Sequence, residues 1–333
     1  MTPRSRSQLR GRSLLSLNAL SAEEMLYLVD LAIELKRRKV RGGGRRNPLL
    51  VGKNIALVFQ KASTRTRCAA VVAACDEGAH VEYLSQNDIH FGKKESVADT
   101  ARVLGRMFDG IFFRGFLHET VETLARHAGV PVWNGLTDQW HPTQILADLQ
   151  TMKESFGHLK GLKVAYVGDG RNNVCNSLMV GCAKVGIDFV NCCPEELAPA
   201  ADVWSLAKVA ARQNDCRIHV SHDPVKGVRG ANVIYTDVWV SMGEESQFAK
   251  RLKLLRPFQV DMAMMKRTGN LADGKAIFLH CLPAFHNHDT DVTRKLGPLE
   301  VTDDVFEAPF SRVFDEAENR MHTIKAMMVA TLT

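Results

Sequence analysis

Short apolar runs alternate along this chain with longer stretches in which apolar positions recur every three or four residues. Runs such as Asn54-Ile55-Ala56-Leu57-Val58-Phe59 and Val164-Ala165-Tyr166-Val167 have the length and residue types of buried strands. The pattern predicts strands over 54–59, 80–84, 110–113, 131–133, 162–167, 187–192, 217–220, 232–236 and 276–280. Helical spacing predicts helices over 65–77, 96–108, 118–128, 142–155, 173–185, 199–213, 246–255, 259–265 and 315–331. Ahead of these, Ser21-Ala22-Glu23-Glu24 reads as a capping box, after which Met25, Leu28, Val29, Ala32 and Leu35 share one helical face. Strands alternating with helices imply an α/β fold with mainly parallel sheets. Gly157-His158-Leu159-Lys160-Gly161 reads as a linker, which puts one sheet within 50–140 and a second within 160–310.

A length of 333 residues agrees with two domains. No apolar run approaches the ~20 residues of a membrane span, and the basic N-terminus lacks an apolar signal core; a cytoplasmic protein is expected. The net charge of +6 is local: residues 1–46 carry +7, in RSRSQLRGR and KRRKVRGGGRR, with no interleaved aromatics. That pattern fits a basic helix end and a solvated loop, so no nucleic-acid or membrane partner is expected. The eight cysteines form no CxxC pair and mostly lie in apolar contexts, which favours buried reduced thiols over a metal site.

The chemistry gathers where strands hand over to helices. After the run 54–59 come Ser63-Thr64-Arg65-Thr66-Arg67, three hydroxyls and two guanidiniums in five residues, followed at once by an apolar helical run. Helix N-termini attract anions through unpaired N–H groups and the dipole, and an arginine fork suits phosphate, so this is an oxyanion site. Arg114 ends the strand Ile111-Phe112-Phe113, and His141-Pro142-Thr143-Gln144 sets a histidine cap and a glutamine on a helix's first turn. Gly168-Asp169-Gly170-Arg171-Asn172-Asn173 starts like a dinucleotide fingerprint, but Asn173 stands at the third glycine, and two asparagines suit a small polar ligand better. Asp237 closes another strand and can grip an ammonium, with Ser241-Met242-Gly243 as a closing loop. His280-Cys281-Leu282-Pro283 ends the last strand, where neighbouring side chains should point opposite ways and not form a nucleophile pair.

STRTR, FRG, HPTQ, DVWVSMG, HCLP and ENRMHTIKA, in this order, resemble the aspartate/ornithine carbamoyltransferase family from about Arg10 to the last residue. DxxxSMG with HCLP points to its ornithine branch. The resemblance implies transfer of a carbamoyl group from carbamoyl phosphate to the side-chain amine of L-ornithine, giving L-citrulline and phosphate. It implies a carbamoyl-phosphate domain over 1–150 plus 316–333, the C-terminal helix packing back on it, and an ornithine domain over 151–315. Ser63, Thr64, Arg65, Thr66, Arg114, His141, Gln144, Arg320 and His90 would bind carbamoyl phosphate. Asn173, Asp237, Ser241, Met242, Cys281 and Leu282 would bind ornithine. Arg114, His141, Thr66 and Cys281 would carry the catalysis. The resemblance further implies a homotrimer, or a larger assembly of trimers, and no cofactor or metal, carbamoyl phosphate being already activated.

Three positions depart from the family's usual pattern: Gln60 where a Glu is usual, Ala70 for a bulky aromatic and Val71 for a carboxylate. They predict altered stability or affinity before loss of activity. Putrescine or an acylated ornithine is the alternative acceptor, and a non-catalytic binding homologue the alternative of another class; a role in arginine biosynthesis and one in arginine breakdown would use the same site.

Overall fold

The computed structural model describes residues 9–42, 47–89, 91, 94–240 and 247–333, which form two compact units, 1–150 with 318–333 and 151–317. In the first, strands β1 (Asn54–Phe59), β2 (His80–Ser85), β3 (Gly110–Arg114) and β4 (Val132–Leu136) form a parallel sheet in the order β2-β1-β3-β4. In the second, β5 (Lys163–Val167), β6 (Asp188–Cys192), β7 (Ile218–Ser221), β8 (Val233–Thr236) and β9 (Ile277–His280) form a parallel sheet ordered β7-β6-β5-β8-β9. Every neighbouring pair is parallel, so each strand is followed by a crossover, as the alternating pattern requires.

Apart from the edge strands β2 and β7, which stay partly exposed, the strands are buried almost throughout, which is why they read as continuous apolar runs. In the first unit Ala56, Val58, Ile111, Phe113 and Val132 pack on one face with Ala101, Leu104, Val121 and Leu124 from helices Val97–Met107 and His118–Ala128. Those helices approach so closely that a Cβ on Gly105 would lie 1.7 Å from the Ala128 carbonyl oxygen. The C-terminal helix Val313–Leu332 is tied down by Trp133, whose Nε1–H donates to Thr331 Oγ1 at 3.1 Å, and by the buried Lys325, whose ammonium donates to Asp76 at 2.7 Å. The second unit's core joins Ala165, Val167, Val190, Ile234 and Phe278 to Phe258, Met265, Val301 and Phe306.

The capping box at Ser21 forms with both reciprocal hydrogen bonds. Residues 13–15, by contrast, carry no strand signal, yet Leu14 N–H donates to the Val132 carbonyl at 2.9 Å and Leu14 O accepts from Asn134 N–H at 2.8 Å. A single bridge onto an existing edge is too short to leave a periodicity. The cysteines also differ from expectation: Cys175, Cys182, Cys192 and Cys193 are buried, but Cys68 and Cys75 are exposed, and all eight are free thiols. Burial pushes the Cys192 and Cys193 thiols up to about 12, which keeps them protonated and unreactive.

Candidate active site

Strand order picks out one crevice in each unit. In the first sheet the chain runs outward from β1 to β2, then crosses to β3, so order reverses between β1 and β3; in the second it reverses between β5 and β8. Ligands of open α/β sheets bind beyond the strands' carboxyl ends at such reversals. The motif residues lie there.

Beyond β1, Ser63 caps helix Thr64–Asp76 by accepting from Thr66 N–H at 3.3 Å. Arg114 ends β3 in register with Phe59. Thr66 is fully buried, and its hydroxyl oxygen accepts from Arg114 Nη1 at 3.3 Å and from Arg320 Nη2 at 2.9 Å. Residues 48 and 254 positions away in sequence thus converge on one oxygen. With its lone pairs engaged by two guanidiniums, that hydroxyl has its own proton left to give. Ser63, Thr64 and Arg65 line a cavity of about 490 Å³.

His141 is 4% exposed and precedes helix Pro142–Phe156. Burial, with Arg320, Arg114 and Arg65 nearby, holds its pKa well below the ordinary imidazole value, so the ring is neutral at pH 7. Gln144 is fully buried on the helix's first turn and donates from Nε2 to Asp148 Oδ1 at 2.9 Å. Gln60 Oε1 accepts from Phe116 N–H at 3.4 Å, so the amide still supplies an acceptor where the family usually has a carboxylate. Ala70 is fully buried, with Ala69, Ala73 and Ala74, on the inner side of its helix. His90 lies outside the described residues.

In the second unit Asn172 caps helix Asn173–Lys184, its Oδ1 accepting from Val174 N–H at 2.7 Å, and Asn173 opens the helix half-buried. Asp237 follows β8 and is 6% exposed; its Oδ1 accepts from Val238 N–H at 2.8 Å and from the Cys281 thiol at 3.1 Å. Burial raises its pKa above the usual aspartate value. Ser241 and Met242 lie outside the described residues.

The HCLP turn does not follow strand alternation. The chain leaves β9 at His280, and Leu282 adopts a φ of +58°. As a result Asp237, His280 and Cys281 each bring one donor atom within 4.8 Å of the others'. Such a trio has the chemistry to hold a soft divalent cation, but each group already has a protein partner. Leu282 N–H donates to His280 Nδ1 at 2.9 Å, so the ring carries its proton on Nε2, which faces Glu300 Oε1 at 3.2 Å. Glu300 also accepts from Phe285 N–H at 2.6 Å, and Glu316 accepts from His280 N–H at 2.9 Å and from the Tyr235 hydroxyl at 3.1 Å. The histidine and cysteine are near one another yet committed to different carboxylates.

Both glutamates are fully buried, and neither is a motif residue. Their only sequence signal is an acid among apolar neighbours, as in Leu299-Glu300-Val301. The ion pair between Asp169 and Arg251, both nearly buried, which holds the Gly168–Asn173 turn to helix Phe248–Leu255, carried no signal at all.

Two family models match. Residues 12–154 match the carbamoyl-P binding domain of aspartate/ornithine carbamoyltransferase, and residues 160–331 match its Asp/Orn binding domain. A Bacillus licheniformis protein named "Ornithine carbamoyltransferase, catabolic" is 58% identical over 330 residues, 97% of each chain. An Enterococcus faecalis protein of the same name is 55% identical, over 98% of this chain and 97% of its own. The solved ornithine carbamoyltransferase from Pyrococcus furiosus superposes with a TM-score of 0.89 at 43% identity, covering 97% of this chain and 98% of its own. With both halves matched and relatives more than half identical over nearly its whole length, the chain belongs to the aspartate/ornithine carbamoyltransferase family, on its ornithine branch, and is a carbamoyl-transfer enzyme.

Proposed function

We propose that the enzyme transfers the carbamoyl group between carbamoyl phosphate and the side-chain amine of L-ornithine. Ser63, Thr64, Arg65 and Thr66 hold the phosphate, Arg114, His141, Gln144 and Arg320 hold the carbamoyl group, and Asn173, Asp237, Cys281 and Leu282 hold ornithine. His90, Ser241 and Met242 complete the two sets. The convergence of Arg114 and Arg320 on Thr66 Oγ1 carries this reading. It pre-orients two cations and one hydroxyl donor toward a single acceptor group, with no reorganisation needed when charge develops there.

In the forward direction the neutral amine forms a bond to the carbamoyl carbon. The carbon–oxygen bond to phosphate then breaks, and the amine's surplus proton leaves with phosphate or water. His141, being neutral, gives a hydrogen bond to the developing oxyanion without repelling the arginines. Asp237 pairs with the α-ammonium of ornithine, and that ion pair offsets its burial. Putrescine, lacking an α-amino acid end, has nothing for Asn173 and Asp237 to hold.

Product formation from carbamoyl phosphate with ornithine, putrescine, N-acetylornithine and aspartate tests the assignment. Ornithine should be turned over at least 100-fold more efficiently than the others, and a preference for another amine would overturn the reading of Asp237. The word "catabolic" in the names of relatives at 55–58% identity supports a working direction from citrulline and phosphate. A deletion strain that accumulates citrulline when fed arginine would bear this out, whereas arginine auxotrophy would place the enzyme in biosynthesis. A homotrimer is part of the proposal, and light scattering of the purified protein tests it.

A further inference from the structure

The cavity beside the phosphate cradle has a wall that the reaction so far leaves unused. Besides Ser63, Thr64 and Arg65 it is lined by Arg67, Cys68 and Tyr83. Arg67 lies one position past the hydroxyl that receives the two buried arginines, and its side chain is exposed. Its guanidinium carbon sits 3.7 Å from the centroid of the Tyr83 ring. That ring is itself held, 5.3 Å from the ring of Phe59, which is buried at the end of β1.

Among the described residues no carboxylate pairs with Arg67. Arg217, exposed in the second unit, shows the ordinary alternative: it donates to Asp188 from its backbone and from two side-chain nitrogens. A guanidinium stacked on an aromatic face keeps its charge and its in-plane N–H donors while losing much of its rotational freedom. Set on the wall of the cavity beside the cradle, with no carboxylate partner among the described residues, it is a pre-ordered donor for a second approach to the same anion.

We propose that Arg67, ordered by Tyr83, is a recruiting residue for the phosphodianion, whether free phosphate or the phosphate end of carbamoyl phosphate, and sets its affinity without acting on the transfer step. The inference rests on the reading of the cradle given above. It assigns to the second arginine of STRTR a role in substrate capture, which matters most where phosphate is itself a substrate.

The test measures inorganic phosphate binding by calorimetry, and steady-state kinetics with carbamoyl phosphate and ornithine, for the full-length protein and three variants. Arg67→Ala should weaken phosphate binding and raise the carbamoyl phosphate KM, each about tenfold, with kcat and the ornithine KM within about twofold. Its kcat/KM should also respond less steeply to ionic strength. Arg67→Lys should recover part of the loss, and Tyr83→Phe, which keeps the ring face, should behave as wild type. Equal effects on the phosphate and carbamoyl phosphate arms place the contact on the phosphate end; a loss confined to carbamoyl phosphate would overturn the assignment. So would an Arg67→Ala enzyme that melts earlier but keeps wild-type phosphate affinity, which would make Arg67 a packing contact. If the wild-type protein transfers no carbamoyl group to ornithine, the proposed function falls, and calorimetry with phosphate still decides the role of Arg67.

Discussion

The proposed phosphate cradle and the HCLP turn are both built at the carboxyl ends of parallel strands, yet they gather groups of opposite charge. The cradle concentrates cations: Arg114 and Arg320 are 7% and 3% exposed and share a neutral hydroxyl, and burial, reinforced by both guanidiniums, lowers the pKa of His141. The HCLP turn concentrates carboxylates: Asp237, Glu300 and Glu316 are buried and are satisfied by backbone N–H groups, a thiol, a phenol and an imidazole. On the proposed function the cradle meets a dianion and Asp237 an ammonium, each opposite in sign to the groups gathered around it.

The largest test of that contrast removes a cradle cation. Arg114→Ala should lower kcat by about 10²–10³, the usual loss for one oxyanion donor, and Arg114→Lys should not restore it because the fork is lost. Stopped-flow citrulline assays measure both.

Asp237→Asn should cut kcat/KM for ornithine by about 10- to 100-fold, the worth of a hydrogen bond to a charged group, leaving the carbamoyl phosphate KM unchanged. Its stability should move the other way. Burial raises the pKa of Asp237 in the folded state, so below the unfolded-state value of about 3.8 its contribution is fully present, and it is lost as pH rises through the folded value. At pH 7 the carboxylate therefore destabilises the fold, and the asparagine variant should melt at a higher temperature than wild type, a difference that shrinks below pH 4. An unchanged or lower melting temperature at pH 7 would mean that a compensating charge holds Asp237.

Glu300→Gln keeps an acceptor for His280 and Phe285 but removes its charge. It should reduce kcat/KM for ornithine about fivefold, since charge-assisted hydrogen bonds are roughly twice as strong as neutral ones, and carbamoyl phosphate kinetics should not change.

The smallest effect concerns acid stability of the cradle unit. His141 is held neutral by burial and nearby arginines, and His322 is brought down to about 4 by burial. Their contribution is fully present above the unfolded-state value of about 6.5 and is lost as pH falls from there toward 4. Denaturant unfolding across that window should show falling stability, with a shallower slope in His322→Gln. A slope unchanged by that substitution would remove His322 from the account.

Strands and helices were legible because the inner strands of a parallel sheet, buried on both faces, force continuous apolar runs separated by amphipathic stretches. β1, β5 and helix His118–Ala128 fall within a residue of their predicted bounds. STRTR read as an oxyanion site from its own residues, whereas Arg114 and HPTQ gained a proposed role only through the family resemblance of the motifs taken together. The contact of Leu14 on β4, the convergence of Arg320 on Thr66, and the supports supplied by Glu300 and Glu316 were not legible. Each joins residues far apart in the chain, and none needs a local pattern to form.

The sequence by itself determined the element order, the two-unit α/β architecture and the chemical character of the motif loops, because propensity, periodicity and capping act over a few residues. Tertiary structure decided which motif residues meet, the tautomer of His280, the neutral state of His141 and the raised pKa of Asp237. Those follow from desolvation and from charges brought near by folding, and both depend on neighbours that the chain supplies from elsewhere.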